Sequence, residues 1–424
     1  MTDALIGAPS IPKPWLTVVG IGDDGFAGLG PRAKAAISDA KVIAGAARQL
    51  ALVPVNGARA VLWDDGLVPK LDALIEERVV GTVILASGDP LLYGVGSTVA
   101  SRLHREDYCI LPAVSSFALA SAAMGWAQTD VTLVSACGRP LAALAAELFD
   151  GARIILLSAD RTTPAKVAQL LIEHKNGRSR ITLLEHIGGP SERKRSFEPK
   201  SFIEPNDIAD LNCLAISVVA DEPGAGLTRL AGLPDHAYEN DGQITRREVR
   251  AVTLAALSPR PGELLWDIGT GSGSVGIEWL RGAPRTKAIG IEPKPERATR
   301  ARVNTQRLGV PGFQIIEGRA PEALSGLPVP DAIFIGGGLG GDAAEGAKLI
   351  ATLLGRLKPG GRLVANAVTL ETEAILLAAF ARHGGTLIRI AVERADPVGR
   401  LTGWRPAMTV MQWAFTKPYG AEPK

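Results

Sequence analysis

Two short stretches place a carboxylate beside glycines where an apolar run gives way to a turn. In "LLWDIGTGSG", Leu264 to Gly273, a buried-strand pattern reaches Asp267 and then Gly269, Gly271 and Gly273. In "LASGDPLLYGVG", Leu85 to Gly96, another apolar run ends on Ser87, Gly88 and Asp89, with Pro90 locking the turn. Glycine allows backbone to approach a ligand closely. A carboxylate at a strand end accepts hydrogen bonds from the ligand or balances its positive charge. Both stretches read as ligand-binding turns.

A dinucleotide turn requires G-x-G-x-x-G from the strand end, so that the pyrophosphate meets a helix N-terminus. From Gly269 the spacing reaches Gly271 and then Ser274, which breaks it; from Gly271 it runs to Gly273 and Gly276, but two residues late. The acid followed by glycines instead resembles the first motif of class I S-adenosylmethionine (SAM)-dependent methyltransferases. SAM carries ammonium and sulfonium charges and no phosphate. Asp267 suits its cationic end, and Gly269, Thr270, Gly271, Ser272 and Gly273 would form the loop beneath it. Glu292 closes the next strand in "IGIEP", where a carboxylate can accept both ribose hydroxyls. The resemblance puts the adenine-edge contact in "EGRAPEAL", at Arg319 or Ala320. Amino-group methyltransferases of the class it resembles carry a proline and aromatic motif after the fourth strand; here "DAIFIGGGLGG" stands there, so the resemblance implies that a base or a protein amine is not the acceptor.

Around these stretches the 424-residue chain is long enough for two or three domains. A 46% apolar content and a net charge of +2 describe a soluble globular protein with no global pull toward nucleic acid or membrane. Its three cysteines and five histidines are scattered, so no metal site is expected. The opening "MTDALIGAPSIPKP" has no basic start or long apolar core and is expected to be a loose arm, and the protein to be cytoplasmic.

From Trp15 to Ala220, β-branched runs such as "WLTVVGIG", "TVILASGD", "ARIILLSAD" and "LNCLAISVVA" alternate with helix-compatible segments, predicting an α/β body of two halves. The Gly/Pro-broken stretch over residues 221–232 reads as a linker. From residue 233 to 424 the alternation resumes with seven strand-like runs, predicting a doubly wound, Rossmann-like sheet. The helix "ITRREVRAVTLAAL" opens it, with Thr245 at the expected N-cap and Glu248 three residues on. Thr245 is also counted among the cofactor contacts.

In the first body the turn "VVGIGDDGFAGLG", then "GDPLLYG", then "PAVSSFALA" resemble, in that order, the tetrapyrrole methylase family, a two-lobed SAM-using fold. The resemblance implies cofactor contacts at Asp23, Ser87, Gly88, Asp89, Leu92, Ser115 and Ser116. Asp23 stands where the family usually has proline, and Ser115 and Ser116 are equally suited to capping the helix they begin. The second body resembles the class I methyltransferase of cobalamin biosynthesis. A fusion of the two resembles the bifunctional precorrin methyltransferases. It implies two SAM sites, a precorrin tetrapyrrole substrate methylated at carbons 5 and 15 with loss of carbon dioxide from the ring C acetate, and a homo-oligomer. Two rival readings stay open: a single-activity enzyme with one degenerate SAM site, and a carrier that binds SAM and tetrapyrrole without turnover. Arg139, Arg193, Lys194, Arg195, Arg246, Arg247 and Arg250 are candidates for the substrate's carboxylates, and no residue declares itself the catalytic base.

Overall fold

The computed structural model describes residues 14–63, 66–203, 207–222, 226–340 and 342–419. The arm expected at the start of the chain therefore falls almost wholly outside the described residues, as does part of the expected linker. The chain divides into two compact units. One comprises Met1–Arg139 and Asp150–Gly224, the other Pro140–Phe149 and Ala225–Lys424.

The first unit holds two sheets among its described residues. The first contains β1 (Leu16–Ile21), β2 (Val42–Gly45), β3 (Arg59–Leu62), β4 (Thr82–Ser87) and β5 (Tyr108–Leu111), in the order β3-β2-β4-β1-β5 with every pair parallel. Its central strands are near-continuous apolar runs because both faces are covered: Leu16, Val18 and Ile84 pack on one side, and Val19, Ile21 and Val83 on the other. The second sheet contains β6 (Thr132–Ser135), β7 (Arg153–Leu157), β8 (Arg180–Glu185), β9 (Arg193–Phe197) and β10 (Asn212–Ser217), in the order β6-β7-β10-β8-β9. Only β6 and β7 pair in parallel there.

In the second unit, β11 (Leu264–Ile268), β12 (Lys287–Glu292), β13 (Gln314–Glu317), β14 (Ala332–Ile335), β15 (Arg362–Ala367), β16 (Thr386–Ile390) and β19 (Val410–Thr416) form one sheet, ordered β13-β12-β11-β14-β15-β19-β16. It is parallel except around β19. The strand order reverses at β11, so the glycine loop after it sits at the switch point where open α/β sheets bind ligands. β17 (Glu393–Val398) and β18 (Leu401–Pro406) pair antiparallel as a separate two-stranded hairpin.

The α/β class, the two-sheet first unit and the seven-stranded second sheet match the sequence expectation. Strands β3 and β9 and the β17–β18 hairpin were not expected. The capping box at Thr245 is not formed. The helix runs Arg247–Leu257 with Arg246 at its N-cap and no side-chain cap. The physical reason lies inside the helix: the buried Arg250 guanidinium bonds the Thr245 carbonyl, so the chain turns helical one residue later.

Candidate functional sites

In the first unit the loops after β1, β4 and β5 meet. Gly88 has φ +60°, and its amide donates to Ile21 O at 2.9 Å while its carbonyl accepts from Ala113 N at 3.2 Å. A Cβ at Gly88 would come within 3.1 Å of Ser115 Cα, and one at Gly20 within 2.0 Å of Gly88 O. Only glycines let the three loops close together. Between them lies a cavity of about 390 Å3, and Asp23, Ser87, Gly88, Asp89, Leu92, Ser115 and Ser116 all line it.

Their polar groups are engaged to different degrees. Asp89 Oδ1 accepts the Leu91 amide at 2.8 Å, and Oδ2 has no hydrogen bond among the described residues. Ser115 Oγ accepts Ala118 N at 3.1 Å and caps the helix Ser116–Met124, while Ser116 makes no such bond. Ser87 Oγ accepts from Arg48 at 2.9 Å and from Gln49 at 3.1 Å. Asp23 is held by Arg48 at 3.1 Å and by His186 Nδ1 at 2.9 Å. Sequence reasoning missed Arg48, whose approach to Asp23 and Ser87 spans loops far apart in the chain.

The second unit has a larger cavity, about 670 Å3, lined by Thr245, Asp267, Gly269, Thr270, Gly271 and Ser272. Here the acids lie within the wall. Asp267 is 1% exposed, and its Oδ2 accepts the Thr270 hydroxyl at 2.7 Å and the Gly276 amide at 3.0 Å. Burial, opposed by those two hydrogen bonds and assisted by the Glu292 charge, pushes its carboxyl up to about 6. Glu292 Oε2 accepts the Gly271 amide at 2.8 Å and Oε1 the Lys294 amide at 3.1 Å, so both oxygens hold backbone. Glu292, Gly273, Arg319 and Ala320 do not line this cavity. Gly273 begins the helix Ser274–Gly282 and faces Ile277, Ala301 and Phe313; Arg319 is exposed, and Ala320 packs on the core.

The loop nonetheless has the features a cationic, phosphate-free ligand needs. Gly269 has φ +70°, and a Cβ there would lie 2.8 Å from Gly337 O. Gly271, at φ +58°, meets nothing nearer than 4.0 Å, so its missing side chain leaves open space. Asp267 Oδ1 and Ser272 Oγ are buried without a hydrogen-bond partner among the described residues. Behind the cavity, Gln412 donates to Thr253 and to Asn366 at 3.0 Å each, and Asn366 donates to Thr253 at 3.0 Å, orienting an amide on the wall. That network joins three distant segments and left no local signal.

Several candidate cations prove to be engaged within the protein, although only Arg250 is buried. Arg250 is fully buried, bonded to Glu278 at 2.5 Å and Asp235 at 3.2 Å. Arg193 and Arg195, on β9, both grip the buried Glu185 and the exposed Asp207, and the exposed Lys194 bonds the Ala123 carbonyl at 2.9 Å. Arg246, Arg247 and Arg139 are exposed, and Arg246 lines the second cavity. Among the described residues, no group of three or more His, Cys, Asp or Glu side chains is placed to hold a metal, and no helix is long and apolar enough to cross a membrane.

Comparison with known proteins bears on both units. The profile described as Tetrapyrrole (Corrin/Porphyrin) Methylases matches residues 15–198, and that described as Precorrin methyltransferase domain matches residues 236–417. A relative from Sinorhizobium sp, named precorrin-6Y C(5,15)-methyltransferase [decarboxylating], is 49% identical over 98% of this chain and 100% of its own. One of the same name from Mycobacterium tuberculosis is 39% identical over 95% of this chain and 100% of its own. The crystal structure of the C-terminal domain of precorrin-6Y C5,15-methyltransferase from Rhodobacter capsulatus is 46% identical, covering 45% of this chain and 100% of that one with a TM-score of 0.42.

Proposed function

The chain belongs to the family of decarboxylating precorrin-6Y C(5,15)-methyltransferases, and we propose that it carries two separate SAM sites, one in each unit. It is a SAM-dependent methyltransferase of cobalamin biosynthesis that methylates carbons 5 and 15 of a precorrin and removes carbon dioxide from its ring C acetate. The observation that carries the two-site reading is the pair of glycine-built cavities, one per unit, each bordered by the strand-end aspartate that the sequence singles out.

The first site is proposed to use Asp23, Ser87, Gly88, Asp89, Leu92, Ser115 and Ser116. Asp89 Oδ2 supplies the free acceptor, and Gly88 brings backbone to the ligand. The second is proposed to use Thr245, Asp267, the loop from Gly269 to Gly273, and Glu292 toward the ribose hydroxyls. Asp267 Oδ1 awaits a cationic donor, and Glu292 holds the loop through the Gly271 amide. Arg319 and Ala320 keep their proposed place at the adenine edge as an outer rim. The domain limits proposed are 15–220 and 233–424, with 221–232 between them.

Bound SAM supplies an electrophilic methyl group on a sulfonium. The macrocycle's meso carbons are enamine-like and supply their own nucleophilic electron pair. The protein's work is then alignment at about 3–3.5 Å and exclusion of water, which needs no nucleophilic side chain. Decarboxylation is fed by the same conjugated system, which accepts the electron pair left behind. Arg246 and Arg394 border the second cavity and suit the substrate's carboxylates. In keeping with family resemblance, the first unit is assigned carbon 5 and the second carbon 15 with the decarboxylation.

The test is incubation of the full chain with precorrin-6Y and SAM, followed by mass spectrometry. Two methyl additions with loss of one carbon dioxide are expected. A single methyl addition would favour one degenerate site, and an unchanged macrocycle would favour a carrier.

A further inference from the structure

One polar side chain on the wall of the second cavity has its orientation fixed but its hydrogen bonding unfinished. Asn366, in β15, lines that cavity, as does Val249 of the helix Arg247–Leu257. Thr253, buried in the same helix, gives its hydroxyl proton to the Val249 carbonyl at 2.8 Å, so its oxygen can only accept. Both neighbouring amides must then turn nitrogen toward it, and Asn366 Nδ2 and Gln412 Nε2 each donate to Thr253 Oγ1 at 3.0 Å. Gln412 Nε2 also donates to Asn366 Oδ1 at 3.0 Å, which locks the Asn366 amide against a flip. The second N–H of Asn366 has no partner among the described residues. Around it the wall is apolar: β14, β15, β16, β19 and their ends contribute Phe334, Val368, Ile390, Val392 and Val410, and no other polar side chain. The lining cations come from elsewhere and are already paired, Arg246 with Asp235, Arg297 with Asp241 and Arg394 with Glu248.

We propose that Asn366 receives the acetate that is decarboxylated, donating its free N–H to one carboxylate oxygen, and that Thr253 and Gln412 act through it as positioning residues. This rests on the second unit being the site of decarboxylation. In that step the bond between the acetate's methylene and carboxyl carbons breaks, and its electron pair enters the conjugated carbon–nitrogen system of the macrocycle. Neutral carbon dioxide leaves, and a proton from solvent on the methylene carbon completes a methyl group. The electron pair can flow only if the breaking bond stands upright on the π system, so the carboxylate must be held in one orientation. An arginine would hold it more tightly, but would also stabilise the charge that has to disappear. A neutral amide fixes the orientation and leaves that charge against an apolar wall, which favours its loss. The carboxylates that stay on the macrocycle fall to Arg246 and Arg394.

The test uses the full chain, in excess over precorrin-6Y with SAM present, and follows methyl additions and carbon dioxide loss by mass in single turnover. Asn366→Ala is expected to slow carbon dioxide loss at least ~10-fold, inside the ~100-fold that a small misplacement costs an oriented reaction. Macrocycle that carries both new methyl groups and still holds its carboxyl should accumulate. Methyl additions and SAM affinity should change less than ~2-fold, a split that a merely structural role would not produce. Asn366→Asp, which sets a negative charge where the donor stood, should slow carbon dioxide loss further. Thr253→Val keeps Asn366 but releases its amide, and should slow the same step alone by about 3-fold or more; if the Asn366 variants melt early, it decides. Carbon dioxide loss that is unchanged, or that falls in step with the methyl additions in a folded variant, overturns the inference. A wild type that adds both methyl groups but keeps its carboxyl overturns the decarboxylating reading and the inference together. A decarboxylating wild type with an indifferent Asn366→Ala overturns the inference alone.

Discussion

Asp89 and Asp267 stand at matching points of their sequences, each at the end of a buried strand ahead of glycines, but their carboxylates live in different media. Asp89 is half-buried at the wall of the first cavity, with one oxygen on the Leu91 amide and the other without a partner among the described residues. Asp267 is buried, with one oxygen binding the loop it precedes and the other enclosed without a partner among the described residues. Glu292 repeats the second arrangement, bonding Gly271 and Lys294 amides. The first unit therefore offers an acid to its ligand from a frame built by close-packed glycines. The second uses acids to build the frame. Removing an acid should accordingly cost affinity alone in the first unit, and affinity together with fold in the second.

The largest effect expected lies deeper in the second unit. Glu278 accepts hydrogen bonds from the amides of Gly232 and Leu233, at 2.6 and 3.0 Å, from Tyr238 OH at 2.8 Å, and from the buried Arg250. Glu278→Ala leaves that guanidinium with Asp235, backbone carbonyls and the Tyr238 ring, and should destabilise the second unit by about 3–5 kcal/mol. Calorimetric melting should show one transition falling while another, assigned to the first unit, stays in place. A common fall of both would mean that the units do not melt separately.

Next comes pH. The Asp267 carboxyl is raised from 3.8 to about 6, so in the ligand-free protein the folded state holds a proton more tightly than the unfolded chain. Its contribution to stability is fully present below about pH 4 and is lost as pH rises through about 6, a loss of roughly 3 kcal/mol. Denaturant midpoints of Asp267→Asn measured against wild type should diverge across that window, with the variant gaining relative stability toward pH 7. A constant difference would remove the enclosed charge from the account.

A smaller effect separates the two sites directly. Asp267→Ala should weaken SAM binding in the second unit by roughly 1.5–3 kcal/mol and lower that unit's melting temperature. Asp89→Ala should weaken binding in the first by about 1–2 kcal/mol and leave melting unchanged, because only the Leu91 amide loses a partner. Equal melting losses in both would erase the contrast drawn above.

Much of this was legible in the sequence because buried parallel strands advertise themselves. "LLWDI" and "TVILAS" are apolar on both faces, and the turns after them carry the glycines that tight backbone approach demands. The parts that stayed hidden lack such a signal. β3 is a short, mostly exposed run of four residues, β17 and β18 are exposed with few apolar residues, and β9, "RKRSF", shows a charge run whose arginines are neutralised by Glu185 and Asp207 from other segments. Thr245 had the composition of an N-cap, but Arg250 set the helix start through the carbonyl. Glu292 was correctly placed at a strand end, but the sequence did not show that its oxygens would meet the Gly271 and Lys294 amides. Arg48, His186 and Asn366 reach their sites through contacts between distant segments, which no local pattern encodes.

The account's central claim is that one chain holds two independent SAM sites, and SAM titration of the full-length protein by calorimetry tests it most directly. The expected result is two equivalents bound per chain. Asp89→Ala should weaken one class of site, Asp267→Ala the other, and the double variant both. A wild-type stoichiometry of one, or a single variant that weakens both sites alike while the protein stays folded, would contradict it.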